Sequence, residues 1–456
     1  MTENRSEEIL AYYITSHGFG HAVRSFEIIR SLRRKAPGVR IVLVSDLPEF
    51  LLEQVRDPGV FFRRKKADLG LVQLDSLRFD LEATFLSVRE MYQNRGVLVD
   101  EELEFLEKTG VRLLVSDVGF LPLVAAARAG IPAVAVGNFT WHWIYESYAR
   151  EDPRWAPLVE WVGGCYRRCS LFLRLPMHGE DPEWSEGVED VPLVARRARL
   201  SPNEVRKILD CPPDRKLYLI AFGALDLSPE AQRRLEERKE ALFLYRHPLR
   251  FDFANGRSVD SCEQLSYADL VGAVDAVVTK PGYGIVSDCL AHGTPMIYTD
   301  RGFFIEYEVL VREIRRHLTW AYLSSDDLVA GNWSPALEAI RKSPRKVPSI
   351  RDDGADVCAR RILSLLNEET AVFPIEEVLD LHAFDPKEVP DLLDDYLRAA
   401  FQAGMTRVRI IHGKGSGVLA RRVQSLLSRH PLVTSSRSAT PDSGGWGATV
   451  AFLKET

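Results

Sequence analysis

The chain has 456 residues, 46% hydrophobic and 27% charged, with 30 Gly and 25 Pro. These globular proportions exclude a long disordered or collagen-like tract, and the length calls for two or three domains rather than one core. Lys plus Arg (59) against Asp plus Glu (65) gives a formal charge of -6, so the chain as a whole does not advertise a polyanionic partner, although a local basic segment is not excluded.

The first eight residues carry charges of both signs and no apolar run, unlike a secretory signal. The most apolar stretch, 113–145, is broken by Asp117, Pro122, Arg128 and Pro132, which argues against a membrane span. The expectation is a soluble, cytoplasmic protein. Six cysteines are scattered without a CxxC pair; Cys165 and Cys169 share a helix face but have no His or Cys cluster beside them, so neither a disulfide framework nor a metal site is implied.

From 9 to 136, short apolar runs alternate with amphipathic stretches, the pattern of a parallel sheet with crossover helices. Residues 9–14 read as a buried strand. Ala22, Phe26, Ile29 and Leu32 follow at helical spacing, and 41–44 read as the next strand. The unit repeats with 113–115 (strand), 122–129 (helix) and 133–136 (strand). An acidic stretch with Gly and Pro, 177–192, reads as a linker. A second α/β block has strands at 217–221, 273–278 and 296–298 and a helix at 283–291. A smaller unit follows a charged stretch after 366, with strands at 378–382, 408–412 and 448–452 and helices at 387–403 and 418–428. The domains are therefore expected at 1–190, 191–366 and 377–456, with a linker at 367–376.

Two glycine loops carry chemistry. His17-Gly18-Phe19-Gly20-His21 lies between the first strand and its helix, where backbone N–H groups and the positive helix end favour an anion. Val23 stands where a dinucleotide fingerprint has its third glycine, and there is no GK[ST] of a P-loop. The same residues also suit a tight turn whose histidines cap the helix. Lys280-Pro281-Gly282-Tyr283-Gly284 repeats the arrangement in the second block, with Ser287 and Asp288 on the following turns and Gly223 after the strand at 217–221. Asp288 would read a ribose diol, or would simply be a carboxylate at a helix N-terminus. Ligands of open α/β sheets sit beyond the carboxyl ends of the strands, so the two loops are expected to face one cleft.

The segments SHGFGHAVR, LVSDVGFLPLVAAARAGIPAVAV and KPGYGIVSDCLAHGTP, with NFTWHWIYESY, LRLP and DVPLVARR, resemble GT-B glycosyltransferases. They are more closely similar to the glycosyltransferase-like N-terminal region of plant L-arabinokinases, over about 9–366. The resemblance implies twin Rossmann-like domains, an acceptor side in the first and a nucleotide-sugar donor site in the second, and needs no metal. No sugar-kinase motif is present, so arabinose phosphorylation is not implied. His21 matches the catalytic base of the family's GH motif, and Asp117 matches the carboxylate that orients it. His17 competes for the role of base. The donor-binding residues implied are Gly18, Gly20, Gly223, Lys280, Gly282, Tyr283, Gly284, Ser287 and Asp288, with Glu306 facing the donor sugar, or else an exposed loop carboxylate. Ile285 replaces the usual hydroxyl residue, and Asp288 the usual Glu. Asn138, Trp141 and Tyr145 are candidates for the acceptor side, or for packing.

LDLH (379–382), HGKGSG (412–417) and GGWGAT (444–449) resemble an Smr domain, the small α/β module at the end of one branch of MutS-related proteins, with a fold like the C-terminal domain of translation initiation factor 3. From 407 to 437 there are seven Lys/Arg and no Asp or Glu, a basic stretch suited to a nucleic-acid backbone. Asp380, His382 and His412 are candidates for acid/base work or metal ligation in phosphodiester cleavage. Gly413, Lys414, Gly415 and Gly417 form a candidate phosphate cradle. The expected function is metal-independent sugar transfer from a nucleotide-sugar to an unknown acceptor, with an Smr module that binds DNA or RNA. One alternative is an Smr-type nicking endonuclease with a ligand-sensing GT-B scaffold. A second is a nucleic-acid-binding protein without catalysis.

Overall fold

The computed structural model describes residues 8–66, 68–74, 79–179, 187–302, 304–367, 377–382, 384, 389–402, 405–413, 417–439 and 447–454. The chain divides into two compact units, Met1–Glu368 and Glu369–Thr456.

The first unit holds two parallel sheets. One comprises β1 (Ile9–Ile14), β2 (Arg40–Ser45), β3 (Val60–Arg64), β6 (Leu113–Asp117), β7 (Ala133–Gly137), β8 (Leu171–Arg174) and β9 (Val188–Asp190), in the order β3-β2-β1-β6-β7-β8-β9. β4 (Val72–Gln73) and β5 (Phe79–Asp80) form a separate small antiparallel pair. Residues 188–190, expected in a linker, instead pair in parallel with β8, because Val188 and its neighbours lie in register with Phe172 to Arg174. The second sheet has the order β12-β11-β10-β13-β14-β15, from β10 (Lys216–Ala221), β11 (Ala241–Tyr245), β12 (Gly256–Ser258), β13 (Ala276–Thr279), β14 (Met296–Tyr298) and β15 (Trp320–Tyr322). β13 starts later than the apolar run suggests, since Ala273 ends the helix Tyr267–Ala273.

Both strand orders reverse once, between β1 and β6 and between β10 and β13, and ligands of such sheets sit at that reversal. Register makes this concrete: Ile14 pairs with Asp117, and Ala221 pairs with Thr279. The loop 15–18 therefore leaves β1 beside the end of β6, and the loop 280–282 leaves β13 beside Gly223.

The helix Phe19–Lys35 is buried along most of its length because more than the first sheet covers it. The helix Gly354–Asn367 also packs on it, and Ser31 donates to Asp356. It ends on Arg33, Arg34 and Lys35, cations suited to a helix C-terminus. Alternation along β10 shows how the second sheet is layered: Leu217 and Leu219 join the core shared with the first sheet, and Tyr218 and Ile220 join a separate core on the other face.

The second unit has a four-stranded mixed sheet, β16-β17-β19-β18, from β16 (Val378–Asp380), β17 (Arg407–Ile411), β18 (Val433–Ser438) and β19 (Ala448–Leu453). The helices Val389–Gln402 and Val418–Leu427 cover it with Leu393, Leu397, Val423 and Leu427 against Val408, Ile410 and Ala451. Among the described residues no helix is long and apolar enough to cross a membrane.

Candidate functional site

In the first unit, the two glycine loops meet. A Cβ on Gly284 would lie 3.1 Å from the Cα of Gly20, so glycine at both positions allows the starts of the helices Phe19–Lys35 and Tyr283–His292 to touch backbone to backbone. Gly18 and Gly282 cap those helices, and neither has an atom within 4 Å of a Cβ built on it. Gly223 is exposed in the loop after β10.

Behind this contact lies a buried polar network centred on Asp117, which is fully excluded from solvent. Its Oδ1 accepts from His21 Nδ1 at 2.8 Å and from Arg24 Nη2 at 2.6 Å; its Oδ2 accepts from Arg24 Nε and Ser25 Oγ, both at 2.7 Å. Burial pushes the Asp117 carboxyl up, but Arg24 and His21 more than offset this and hold it below the ordinary carboxylate range. Asp117 is therefore an anion and can only accept, so its bond to His21 uses the tautomer with the proton on Nδ1 and leaves Nε2 as the ring's proton acceptor, while Arg24 Nη2, 2.9 Å from the same Nδ1, donates to Asp117 Oδ1. The helix places His21, Arg24 and Ser25 within one turn, all turned toward the end of β6.

The network crosses to the other half. Arg24 Nη1 donates to Asn138 Oδ1 at 2.6 Å, Asn138 Nδ2 donates to Glu306 Oε1 at 2.9 Å, and Glu306 Oε2 pairs with Arg301 at 3.1 Å. Arg24 also lies over the Tyr283 ring at 5.0 Å. Glu306 is thus a buried bridging carboxylate rather than an exposed loop acid, and Asn138 serves this bridge.

Three sequence expectations change. Asp288 does not face a ligand: it is fully buried, accepting from the Arg196 backbone at 3.0 Å and from Arg196 Nε at 2.9 Å, so its carboxylate is committed to joining the segment 193–197 to the helix Tyr283–His292. Ser287 beside it is also fully buried. Trp141 and Tyr145 do not line the cleft. Both are buried and stacked on one another at 5.5 Å, with Trp141 Nε1 donating to Asp68 Oδ2 at 2.7 Å and the Tyr145 hydroxyl facing the Gly70 carbonyl at 3.4 Å. His17 is a poor base. Burial, with His21 and the cations Arg301, Lys280 and Lys66 around it, lowers its imidazole to about 3, and its Nδ1 already accepts from Leu71 N at 3.3 Å.

Sequence reading missed Arg24, Ser25, Asp68, Arg196 and Arg301. Arg24 ends the quoted segment SHGFGHAVR and Arg196 is the penultimate residue of DVPLVARR, and a cation at helical spacing from His21 was the available signal. Asp68, held by Thr15 Oγ1 at 2.6 Å and by Trp141, has its carboxyl raised by burial; nothing in its neighbourhood of sequence marks it.

In the second unit, pairing of Asp380 with Ile411 brings the ends of β16 and β17 together. His382 Nδ1 lies 2.6 Å from Asp380 Oδ1, and both side chains are more than half exposed (61% and 58%). Gly413 has a φ of +74°, and a Cβ there would come within 2.7 Å of His382 Nε2, so this glycine lets the histidine lie over the loop. His412 is buried with both nitrogens engaged, Nδ1 with the Gly413 carbonyl at 3.1 Å and Nε2 with Thr449 Oγ1 at 2.9 Å. Gly417 caps the helix Val418–Leu427. Lys414 and Gly415 lie outside the described residues. Among the described residues, no group of three or more His, Cys, Asp or Glu has metal-site geometry.

Comparison with known proteins follows this division. Residues 379–454 match the Smr domain family. The chain is 30% identical over 345 residues to the L-arabinokinase of Arabidopsis thaliana, covering 72% of this chain and 32% of that protein. Over 85 residues it is 40% identical to the endonuclease MutS2 of Thermomicrobium roseum, covering 19% of this chain and 11% of that one. The chain thus spans about a third of the first relative's length and about a tenth of the second's. Among solved structures, the kitacinnamycin glycotransferase aligns over 79% of this chain and 94% of its own with a TM-score of 0.54 at 16% identity. A Medicago truncatula structure complexed with UDP-glucose aligns over 80% and 100%, with a TM-score of 0.53 at 12% identity. The first unit has the fold of GT-B glycosyltransferases, and the second is an Smr domain.

Proposed function

We propose that the first unit transfers a sugar from a nucleotide-sugar to an acceptor hydroxyl, with His21 as the base. The observation that carries this reading is the His21–Asp117 pair at the meeting point of the two glycine loops. His21 Nε2 takes the acceptor's proton as that oxygen attacks the anomeric carbon, and the nucleoside diphosphate leaves with the electrons of the broken bond. Asp117 holds the ring and supports the imidazolium that forms. The N-terminus of the helix Tyr283–His292, with Lys280, suits the charge of the leaving diphosphate, and this chemistry needs no metal. The UDP-glucose held by a structure of the same fold supports a nucleotide-sugar donor.

The test is a thermal-shift panel of nucleoside diphosphates and nucleotide-sugars on the full chain, since a ligand that binds only the native state raises its melting temperature, followed by turnover of any hit. His21→Ala should abolish turnover and leave binding intact. No shift and no turnover across a broad panel would sink the reading.

For the Smr domain we propose binding of DNA or RNA through the basic stretch 407–437, with phosphodiester cleavage as its chemistry. The exposed Asp380–His382 pair beside Gly413 favours cleavage over binding alone: His382 is open to a backbone phosphate, whereas both nitrogens of His412 are taken.

A further inference from the structure

Buried polar atoms almost always have partners, and those that do not call for an explanation. Two of the unpartnered atoms are N–H donors, His17 Nε2 after β1 of the first sheet and Arg301 Nε after β14 of the second. Leu71 N–H donates to His17 Nδ1, so the ring's own hydrogen sits on Nε2. The ring is fixed: Gly70, at a φ of +63°, passes so close that a Cβ would lie 2.5 Å from Nδ1, and the Trp141 ring lies 5.3 Å away, near edge-on. Arg301 is fixed as firmly. Its Nη1 donates to the Pro281 carbonyl at 3.0 Å and pairs with Glu306, and its guanidinium lies 4.3 Å over Phe304. Phe304 in turn touches Phe79, which neighbours His17. The leading cations acting on His17 are Arg301, Lys280 and Lys66, and Arg301 is itself paired with Glu306.

Two immobile donors in cationic surroundings are the complement of an oxyanion. We propose that His17 Nε2–H and Arg301 Nε–H hold one phosphoryl or carboxylate oxygen of the ligand, so that His17 is a hydrogen-bond donor at the site and not a second base. The imidazole, neutral down to about pH 3, keeps this role across the working pH range. Two sources supply such an oxygen: the diphosphate that leaves the donor, or an anionic group on the acceptor. Only this choice of source rests on the transferase reading.

Isothermal titration of the full chain with inorganic pyrophosphate, inorganic phosphate, UDP and uridine tests the site without requiring turnover. His17→Leu and Arg301→Lys should each weaken binding of UDP and pyrophosphate by roughly ten-fold or more and leave uridine unchanged. His17→Gln keeps a donor and an acceptor for Leu71 N–H and should retain most of the affinity. If UDP affinity is unaffected but inorganic phosphate no longer binds the UDP-saturated protein, the oxyanion belongs to the acceptor. If the wild type binds no anion, or if folded His17→Leu and Arg301→Lys bind all of them as the wild type does, the proposal is overturned. Intact anion binding without transfer from any sugar donor would instead overturn the transferase reading alone.

Discussion

Arg24 and Asp117 are 2% and 0% exposed and joined by two hydrogen bonds of 2.6 and 2.7 Å, so neither charge tolerates the loss of the other. Asp117→Asn keeps the volume but removes the negative charge and one acceptor oxygen, leaving the buried guanidinium with amide oxygens alone as acceptors, one at position 117 and Asn138 Oδ1. Breaking one side of a buried pair destabilises by about 3–5 kcal/mol. The loss of the His21 and Ser25 bonds as well puts the expected cost at the upper end. Arg24→Met leaves Asp117 with two donors, His21 and Ser25, and should cost less, about 2–4 kcal/mol. The double variant leaves no unpaired charge, so its cost should fall short of the sum by about 2 kcal/mol or more. Denaturant unfolding followed by tryptophan fluorescence suits the measurement, since seven of the eight tryptophans lie in the first unit. The sign with pH is also fixed. Because the folded Asp117 carboxyl lies below its ordinary value of 3.8, its stabilisation is present above that value and is lost as pH falls through the folded one. Additivity of the two single changes to within about 0.5 kcal/mol would refute the description of Arg24 and Asp117 as one unit.

Three further outcomes are expected. Arg196→Ala should destabilise the first unit by about 2–4 kcal/mol, because it strands the buried Asp288 carboxylate. A melt that does not move, together with weakened uridine binding in Asp288→Asn, would restore Asp288 as a ribose reader. His17, lowered from 6.5 to about 3, is protonated in the unfolded chain but not in the folded one between those values. It should therefore remove roughly 3 kcal/mol of stability between pH 7 and pH 4, a loss that His17→Gln abolishes; parallel pH profiles for wild type and variant would contradict it. In plasmid-nicking assays on the full chain, His382→Ala should remove cleavage without lowering the melting temperature of the Smr domain. His412→Ala should lower that domain's stability by about 1–3 kcal/mol, because Thr449 Oγ1 and the Gly413 carbonyl lose their partner. Undiminished nicking by His382→Ala would reassign the chemistry.

Periodicity is enough to read β1, the apolar face of the helix Phe19–Lys35 and the start of β6, while His21 and Asp117 stand out only through the resemblance to GT-B glycosyltransferases; the sheet order makes the ends of β1 and β6 neighbours. What periodicity does not carry is the choice of partner across long separations. Arg24 meets Asp117 at a separation of 93 residues, and Arg196 meets Asp288 at 92. In both cases the carboxylate alone is compatible with a ligand or with an internal cation, and only the fold brings the cation into place. Asp288 in the sequence shows neither its burial nor Arg196, and Asp117 does not show its main counter-charge, Arg24. Trp141 and Tyr145 show the converse: aromatic residues beside a candidate site look like ligand walls until Asp68, more than 70 residues earlier in the chain, claims the indole N–H.

The two units use one arrangement, a carboxylate at a parallel strand end that faces a histidine Nδ1 and frees Nε2, and they differ in what can reach that nitrogen. In the second unit, Asp380 and His382 are more than half exposed, so among the described residues the pair is open to a polymer backbone. In the GT-B unit, His21 is 8% exposed and sits behind loops in backbone contact at Gly20 and Gly284. A Glu306–Asn138 bond spans the two halves there, with Phe304 packed on Phe79 and Phe139. Opening that seam would leave the Glu306 carboxylate short of a donor, the Asn138 amide N–H short of an acceptor, and the Phe304, Phe79 and Phe139 rings short of a neighbour, a cost that the exposed Asp380–His382 pair does not carry.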